Sequence, residues 1–549
     1  MNTRRQCNAR RNHPLWFPWR LVFSLCVLLL ASSAHATSRP CPNLTNPTCL
    51  SGFPLYFGEV PAATNSDVGV SSPTVADLDG RGRNFIVVGS NYGVFAYHSD
   101  GTFAWVFPTD TGVGDKPAVG DLDGSGEQQV VVMTGTIAAA QQGLGGTLYV
   151  LHHDGTKKCS FHYEAGGRSS PALAPLDRSR PDKLEIVFGI WGGTSFHIYA
   201  LNPDCTVYWD KNNLNDLVVD SVWSSAAIVD LDGDGQLDVV IGQDSNQQSI
   251  DGVVTPNGGM LRAFRGDGSG ELPGFPIFLD EVVYSSPAVG PVGARGSLSI
   301  IAGNGRCWDK TQCAPGGQTH AVTAAIYGWN TAGGNLPGWP VLTPMRDAYQ
   351  ISPALADLDG DGRAEVIMSL KIKASVNDDL TGEMHVLSGD GTELPGWPVQ
   401  PNLAADCSGT NNAHWVAESS PIVADLKGDG HFEILLATNT EVVVWDTSGN
   451  QLSRDSSTAC NPKPDVYQLL GIGHFNSAPI AVDLDGSGQI TVIAGGNYKD
   501  TSGKFWGALN AWKFPGTASP RSLPWPQHRH DSRNTGFYLP DTIFNNGFE

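Results

Sequence analysis

Asp230-Leu231-Asp232-Gly233-Asp234-Gly235-Gln236-Leu237-Asp238 sets carboxylates at its first, third, fifth and ninth positions and glycines at its fourth and sixth. The segment Asp357 to Glu365 repeats it, with Asp359, Asp361 and Arg363 at positions three, five and seven. Glycine allows so short a bend to turn sharply, and the alternating acids then converge their oxygens on one point, the arrangement that holds a hard divalent cation. Ca2+ is the expected ion. An EF-hand would need an acid at position twelve, where Ile241 and Met368 stand inside apolar runs, so the ninth position closes these loops.

Other copies are less complete. Asp425, Asp429 and Glu433 keep three acids, but Lys427 brings a cation to position three. Asp121, Asp123 and Ser125, like Asp483, Asp485 and Ser487, keep two acids and a hydroxyl, with Gln129 or Thr491 at position nine; these are expected to be weak or water-supplemented sites. Asp77 and Asp79 are followed by Arg81 and Phe85 at positions five and nine, so that loop is expected to turn without metal. The units near Asp177 and Pro291 lack the pattern. The competing reading is that Asp and Gly simply make turns here.

The elements that carry these loops recur. Eight units begin near Pro73, Pro117, Pro171, Ala226, Pro287, Pro353, Pro421 and Pro479. Each loop is followed by a β-branched run, such as Phe85-Ile-Val-Val, Asp238-Val-Val-Ile or Glu365-Val-Ile-Met, that reads as a buried strand. A third strand follows, as in Met260-Leu-Arg-Ala-Phe. The proline-bearing phrases Leu272-Pro-Gly-Phe-Pro, Leu336-Pro-Gly-Trp-Pro and Leu394-Pro-Gly-Trp-Pro suggest a fourth, outer strand that can spare its ladder donors. Four short antiparallel strands per unit predict an all-β fold, a single β-propeller of eight four-stranded blades. Seven blades is the alternative, if the degenerate unit near Pro291-Val292-Gly293 belongs to an insertion or the terminal copies share a blade.

From about Val60 to Phe537 the chain resembles the FG-GAP and related (VCBS-type) calcium-loop repeats of the integrin α-subunit propeller, in the form common in secreted bacterial proteins. The residues that carry the resemblance are the Ser-Ser-Pro-x-Val-x-Asp-Leu-Asp-Gly phrase, as at Ser71 to Gly80, and the Gly-Trp-Pro segments. The resemblance implies Ca2+ in the better loops, with main-chain carbonyls of Gln236 and Arg363 as further ligands. Pro524-Trp525-Pro526-Gln527-His528-Arg529-His530-Asp531 looks like the closing segment of such propellers and of quinoprotein-like ones. It is expected to complete a blade and remove an open edge; metal or catalytic chemistry by the His-Arg-His-Asp cluster is the lesser alternative.

Strand parity divides the two faces. First-to-second connections carry the Asp loops. Most long insertions join second to third strands, at 135–146, 243–259, 304–323 and 371–382, or blade to blade, at 402–418 and 454–476. They crowd the opposite face, which corresponds to the ligand-binding face of integrin propellers, and loops on a rigid scaffold are where recognition usually resides. Trp308, His320, His414, Trp415 and Tyr467 are exposed-loop candidates, each of which could equally pack within its own loop.

The first residues hold five arginines and no acid, then the apolar run Leu21 to Leu30 and Ala34-His35-Ala36, the pattern of a secretory signal peptide cleaved near Ala36. No later stretch has the length of a spanning helix. Removing those five arginines from 34 basic residues leaves 29 against 55 acids, a net charge of −26 that disfavours nucleic acid and anionic membrane. Ten cysteines become eight after cleavage, an even number that fits disulfides in an exported chain. Sequence proximity pairs Cys41 with Cys49 and Cys307 with Cys313, and economy pairs Cys159 with Cys205 and Cys407 with Cys460. Residues 37–58 are expected to be a disulfide-tied leader, 59–538 the propeller and 539–549 a tail like those on some exported Gram-negative proteins. No C-x-x-C, G-x-S-x-G, H-E-x-x-H or phosphate-loop phrase is present. The leading expectation is a secreted, noncatalytic propeller that recognises a protein or glycan on its long-loop face. The alternatives are a propeller enzyme, such as a polysaccharide lyase or quinoprotein-like dehydrogenase, and a passive envelope scaffold.

Overall fold

The computed structural model describes residues 48–60, 70–135, 143–191, 196–212, 217–218, 220–245, 248–250, 253–255, 258–294, 296–305, 324–343, 346–348, 351–372, 381–401, 419–438, 441–453, 474–475, 477–499 and 505–539. The leader arginines, the five exposed-loop candidates and the C-terminal tail lie outside these residues. Residues 39–549 form one compact unit. It is all-β: eight antiparallel blades arranged as a β-propeller, which excludes the seven-blade alternative. The degenerate unit at Pro291 is a full blade, built on Ala288–Ala294 and Ser297–Gly303.

In each blade a short inner strand, such as Ala227–Val229, pairs with the long apolar run that follows the Asp loop, here Asp238–Ser245, and that strand pairs with a third, Gly258–Arg265. Second strands such as Phe85–Ser90 are buried along their whole length, because each face of a blade lies against a neighbouring blade. The core is accordingly a ring of inter-blade clusters. Val187, Ile198 and Trp209 pack with Ile228, Val239 and Phe264 between the third and fourth blades. Val75, Ile86 and Phe95 pack with Ile480, Ile493 and Leu509 between the first and the last.

The Ser-Ser-Pro phrase has a structural job. Its second serine accepts a main-chain N–H from the blade before: Lys116 N donates to Ser170 Oγ at 3.2 Å, Ser170 N to Ser225 Oγ and Ser225 N to Ser286 Oγ at 2.8 Å, and Ser352 N to Ser420 Oγ at 3.0 Å. Ala478 N donates to Ser72 Oγ at 3.0 Å and joins the last blade to the first. At the outer rim, tryptophan indoles do the same work. Trp209 Nε1 donates to Gly266 O at 2.8 Å, Trp339 Nε1 to Gly389 O at 3.1 Å and Trp397 Nε1 to Thr447 O at 3.0 Å.

Two sequence expectations are corrected. The Leu-Pro-Gly-Phe/Trp-Pro phrases are the tight turns that enter the outer strand; that strand begins after them, at Ile277–Leu279 and Val341–Leu342. The turn is needed because it meets the next blade closely: a Cβ on Gly338 would lie 1.9 Å from Asp390 O. The last blade is completed by the N-terminal strand Leu55–Val60, which pairs with Phe505–Thr517, not by the Pro524 segment. Thr48–Cys49 pairs with the same strand, so the last blade takes in residues within 37–58, the stretch expected to be leader. One disulfide is described, Cys159–Cys205, joining the outer strand of the second blade to a turn of the third across 46 residues. Each of the other three expected pairs includes a cysteine outside the described residues.

Candidate functional site

Every Asp loop joins a first strand to a second, and position nine is the first residue of the second strand in both complete copies. That register buries it: Asp238 and Glu433 are fully buried and Glu365 nearly so. One of its oxygens accepts the N–H of position two, from Leu231 to Asp238 at 3.0 Å, Leu358 to Glu365 at 2.7 Å and Leu426 to Glu433 at 2.8 Å. Gln129 does this with its amide oxygen, from Leu122 N at 2.7 Å. Position one folds back over the bend: Asp230 accepts Gly233 N at 2.8 Å and Gly235 N at 2.9 Å, and Asp357 accepts Gly360 N at 2.8 Å and Gly362 N at 3.0 Å.

Two groups of acids come close enough to share an ion. Oxygens of Asp230, Asp232 and Asp238 lie within 4.8 Å of one another, as do those of Asp357, Asp359 and Asp361. Asp234 and Glu365 stand in the same loops outside those tight groups. The arrangement fits a cation on an independent ground, because Asp238 Oδ1 is buried and has no hydrogen-bond partner. Burial, with the neighbouring Asp carboxylates adding to it, pushes Asp238 up to about 6 and Glu365 up to about 8. A bound cation would relieve that cost.

The structure also places a base at each weaker loop, often from a distant strand. Lys427 Nζ lies 2.7 Å from Glu433 Oε1, so an ammonium supplies the charge that the Asp425, Asp429 and Glu433 carboxylates demand. Lys158, on the outer strand, pairs with Asp123, and Lys513 Nζ lies 2.5 Å from Asp485 Oδ2. Asp121 and Asp483 accept loop N–H groups, and Ser125 and Ser487 donate theirs to Asp123 and Asp485. Arg83 pairs with Asp79 at 3.0 Å in the loop expected to lack metal. The complete loops carry arginine too: Arg265 reaches Asp232 and Asp234 at 3.2 and 3.0 Å, and Arg363 reaches Asp361 at 2.7 Å.

The central channel is crossed by residues 519–538. Main-chain bonds tie this segment to inner strands of six blades: Ala481 N to Pro526 O, Val423 N to Trp525 O, Val119 N to Ser532 O, Leu173 N to Arg533 O, Ile228 N to Thr535 O and Val289 N to Gly536 O, all 2.8 to 2.9 Å. Inner strands have one free ladder edge at the axis, and the segment covers it. Its charged groups serve the same end. The buried Arg529 guanidinium donates to Ala226 O and Pro287 O at 2.6 Å each. Lys116 Nζ donates to Asp531 O at 2.7 Å and Asn534 Oδ1 at 2.6 Å, and Asn534 Nδ2 donates to Pro171 O at 2.8 Å. Burial, with the Arg529 charge adding to it and Asp531 opposing, draws Lys116 down to about 7. On the Asp-loop side a cavity of about 990 Å³ remains, lined chiefly by this segment, with Asp357 and Asp483 at its border.

No helix among the described residues is long and apolar enough to cross a membrane. No family model matches the chain, and no curated protein matches it. Among solved structures the chain is similar to the rhamnogalacturonan lyase YesW, at 16% identity and a TM-score of 0.50, over 89% of this chain and 81% of that one. A Bacillus licheniformis rhamnogalacturonan lyase matches at 15% identity and a TM-score of 0.46, over 88% and 82%. A quinoprotein alcohol dehydrogenase-like protein from Bacteroides thetaiotaomicron matches at 11% identity and a TM-score of 0.30, over 61% and 67%. At these identities the likeness is one of fold: the chain is an eight-bladed β-propeller.

Proposed function

We propose that the chain is an exported, Ca2+-stabilised propeller of the FG-GAP and VCBS kind that recognises a protein or glycan ligand on the face opposite its Asp loops, without catalysis. The way the axial segment is tied into the channel carries this reading. Arg529, Lys116 and Asn534 are spent on main-chain carbonyls and side chains of the channel itself, and the cavity that remains lies on the Asp-loop side, away from the long-loop face. The buried, unpartnered Asp238 oxygen supports Ca2+ in the Asp230 loop, and the matching Asp357 loop is the second site. The Cys159–Cys205 disulfide accords with an oxidising compartment after export. The test is a glycan array and a surface-protein pull-down with the mature chain in Ca2+, run beside lyase and dye-linked dehydrogenase assays. Saturable binding without turnover is expected. Release of unsaturated uronate or reduction of the dye would establish the enzyme alternative instead.

A further inference from the structure

The residue immediately before each Ser-Ser pair occupies an equivalent position in successive blades, four residues ahead of an inner strand and so on the face opposite the Asp loops. In the third, fourth and fifth blades these residues are Arg168, Trp223 and Tyr284. They meet side by side. The Arg168 guanidinium lies 5.6 Å from the Trp223 ring centre, and Trp223 and Tyr284 stack at 5.1 Å with 15° between their planes. Trp191, two residues past the second strand Glu185–Gly189 of the third blade and on this same face, sets its indole 4.9 Å from Trp223 at 55°. Gly166 lets it settle there, since a Cβ at that position would lie 2.6 Å from the indole. Arg168, Trp191 and Trp223 all remain half-buried, with part of each surface open.

Carboxylates flank the arc. Tyr284 Oη donates to Asp244 Oδ2 at 2.7 Å. Asp115 stands within electrostatic reach of Arg168 at the other end, and burial pushes it up to about 6 despite that guanidinium. Indole edges and faces beside fixed carboxylates suit a ligand with C–H faces and many hydroxyl donors. A pyranose has both. An anionic sugar fits less well, because Asp115 and Asp244 outnumber Arg168 and the whole chain carries a net charge of −21.

Resting on the recognition reading above, we propose that this arc of the third to fifth blades is a subsite for a neutral pyranose oligosaccharide, with Trp191 as the sugar platform and Arg168 holding Trp223 in place. The probes are cellotetraose, maltotetraose and tetragalacturonate, titrated calorimetrically into the full mature chain in Ca2+. At least one neutral tetrasaccharide should bind, and Trp191→Ala should weaken it by about tenfold or more, near 1.4 kcal/mol, with the melting temperature unchanged. Arg168→Met should weaken it less. If Trp191→Ala does not fold, Trp191→Phe keeps the packing while shrinking the platform and should give a smaller loss in the same direction. Equal affinity in folded Trp191 variants would overturn the proposal, as would preference for tetragalacturonate. Failure of every glycan would overturn it too, while a protein captured in the pull-down would leave the broader recognition reading standing.

Discussion

Ca2+ affinity should depend on pH very differently at the two complete loops. Position nine must be ionised to help hold a cation, and a proton must leave when the metal arrives. Glu365, pushed up to about 8, is mostly protonated at neutral pH, whereas Asp238, at about 6, is mostly ionised. Between pH 6 and 8 the affinity of the Asp357 loop should therefore rise roughly fiftyfold and that of the Asp230 loop only about twofold. The sign for the metal-free protein is opposite. Glu365 titrates above its ordinary 4.5 in the folded chain, so its contribution to stability is full below that value and is lost as pH rises towards 8. Calorimetric Ca2+ titrations at pH 6, 7 and 8, in variants with one loop silenced by Asp230→Asn or Asp357→Asn, separate the two sites. Glu365→Gln should flatten the slope of the Asp357 loop. A flat profile in the unsubstituted Asp357 loop, or an unchanged slope in Glu365→Gln, would refute the reasoning.

Lys427→Asp restores the missing acid of the seventh loop and should raise calorimetric Ca2+ stoichiometry by one per chain. Lys427→Met instead leaves the buried Glu433 without its ammonium and, because that ammonium is partly solvated, should cost about 1–2 kcal/mol in denaturant unfolding. Replacing Cys159 and Cys205 by serine opens a loop of 46 residues, worth up to about 4 kcal/mol by chain entropy, and should shift the denaturation midpoint accordingly. Deleting residues 519–549 removes seven main-chain bonds to the inner strands, each worth about 1 kcal/mol, and should abolish the cooperative melting transition. A truncated chain that melts within a few degrees of the full one would deny the segment that role.

The blade plan was legible because each Asp loop marks a bend and the β-branched run after it has a helix-excluding length and composition. Residues near one another in sequence, such as Asp230 and Asp238, could be assigned to one loop by spacing alone. Partners far along the chain could not. Lys513 reaches Asp485 from another strand, and Lys158 reaches Asp123 across 35 residues, so the neutralisation of those loops had no local signal. The composition of the Pro524 segment marks it as a closing element but not where it sits, because its main-chain groups cap strand edges drawn from six blades rather than finishing one sheet. Leu55 to Gly58 fall within the expected leader because their strand partner lies some 450 residues later, where no local signal points to it. The Arg168, Trp223 and Tyr284 arc had a signal, the position before Ser-Ser, that becomes meaningful only when blades are set side by side.

Pairing of Leu55–Val60 with Phe505–Thr517 makes the order of synthesis matter. While the chain is being made, this early strand waits for one of the latest, and until then the first blade lacks a neighbour on one side. Contacts so distant in sequence are slow to form and leave strand edges open to other molecules in the meantime. An unfinished copy, stalled or clipped before Phe505, would thus be an incomplete wheel with sticky ends, a natural target for proteolytic disposal.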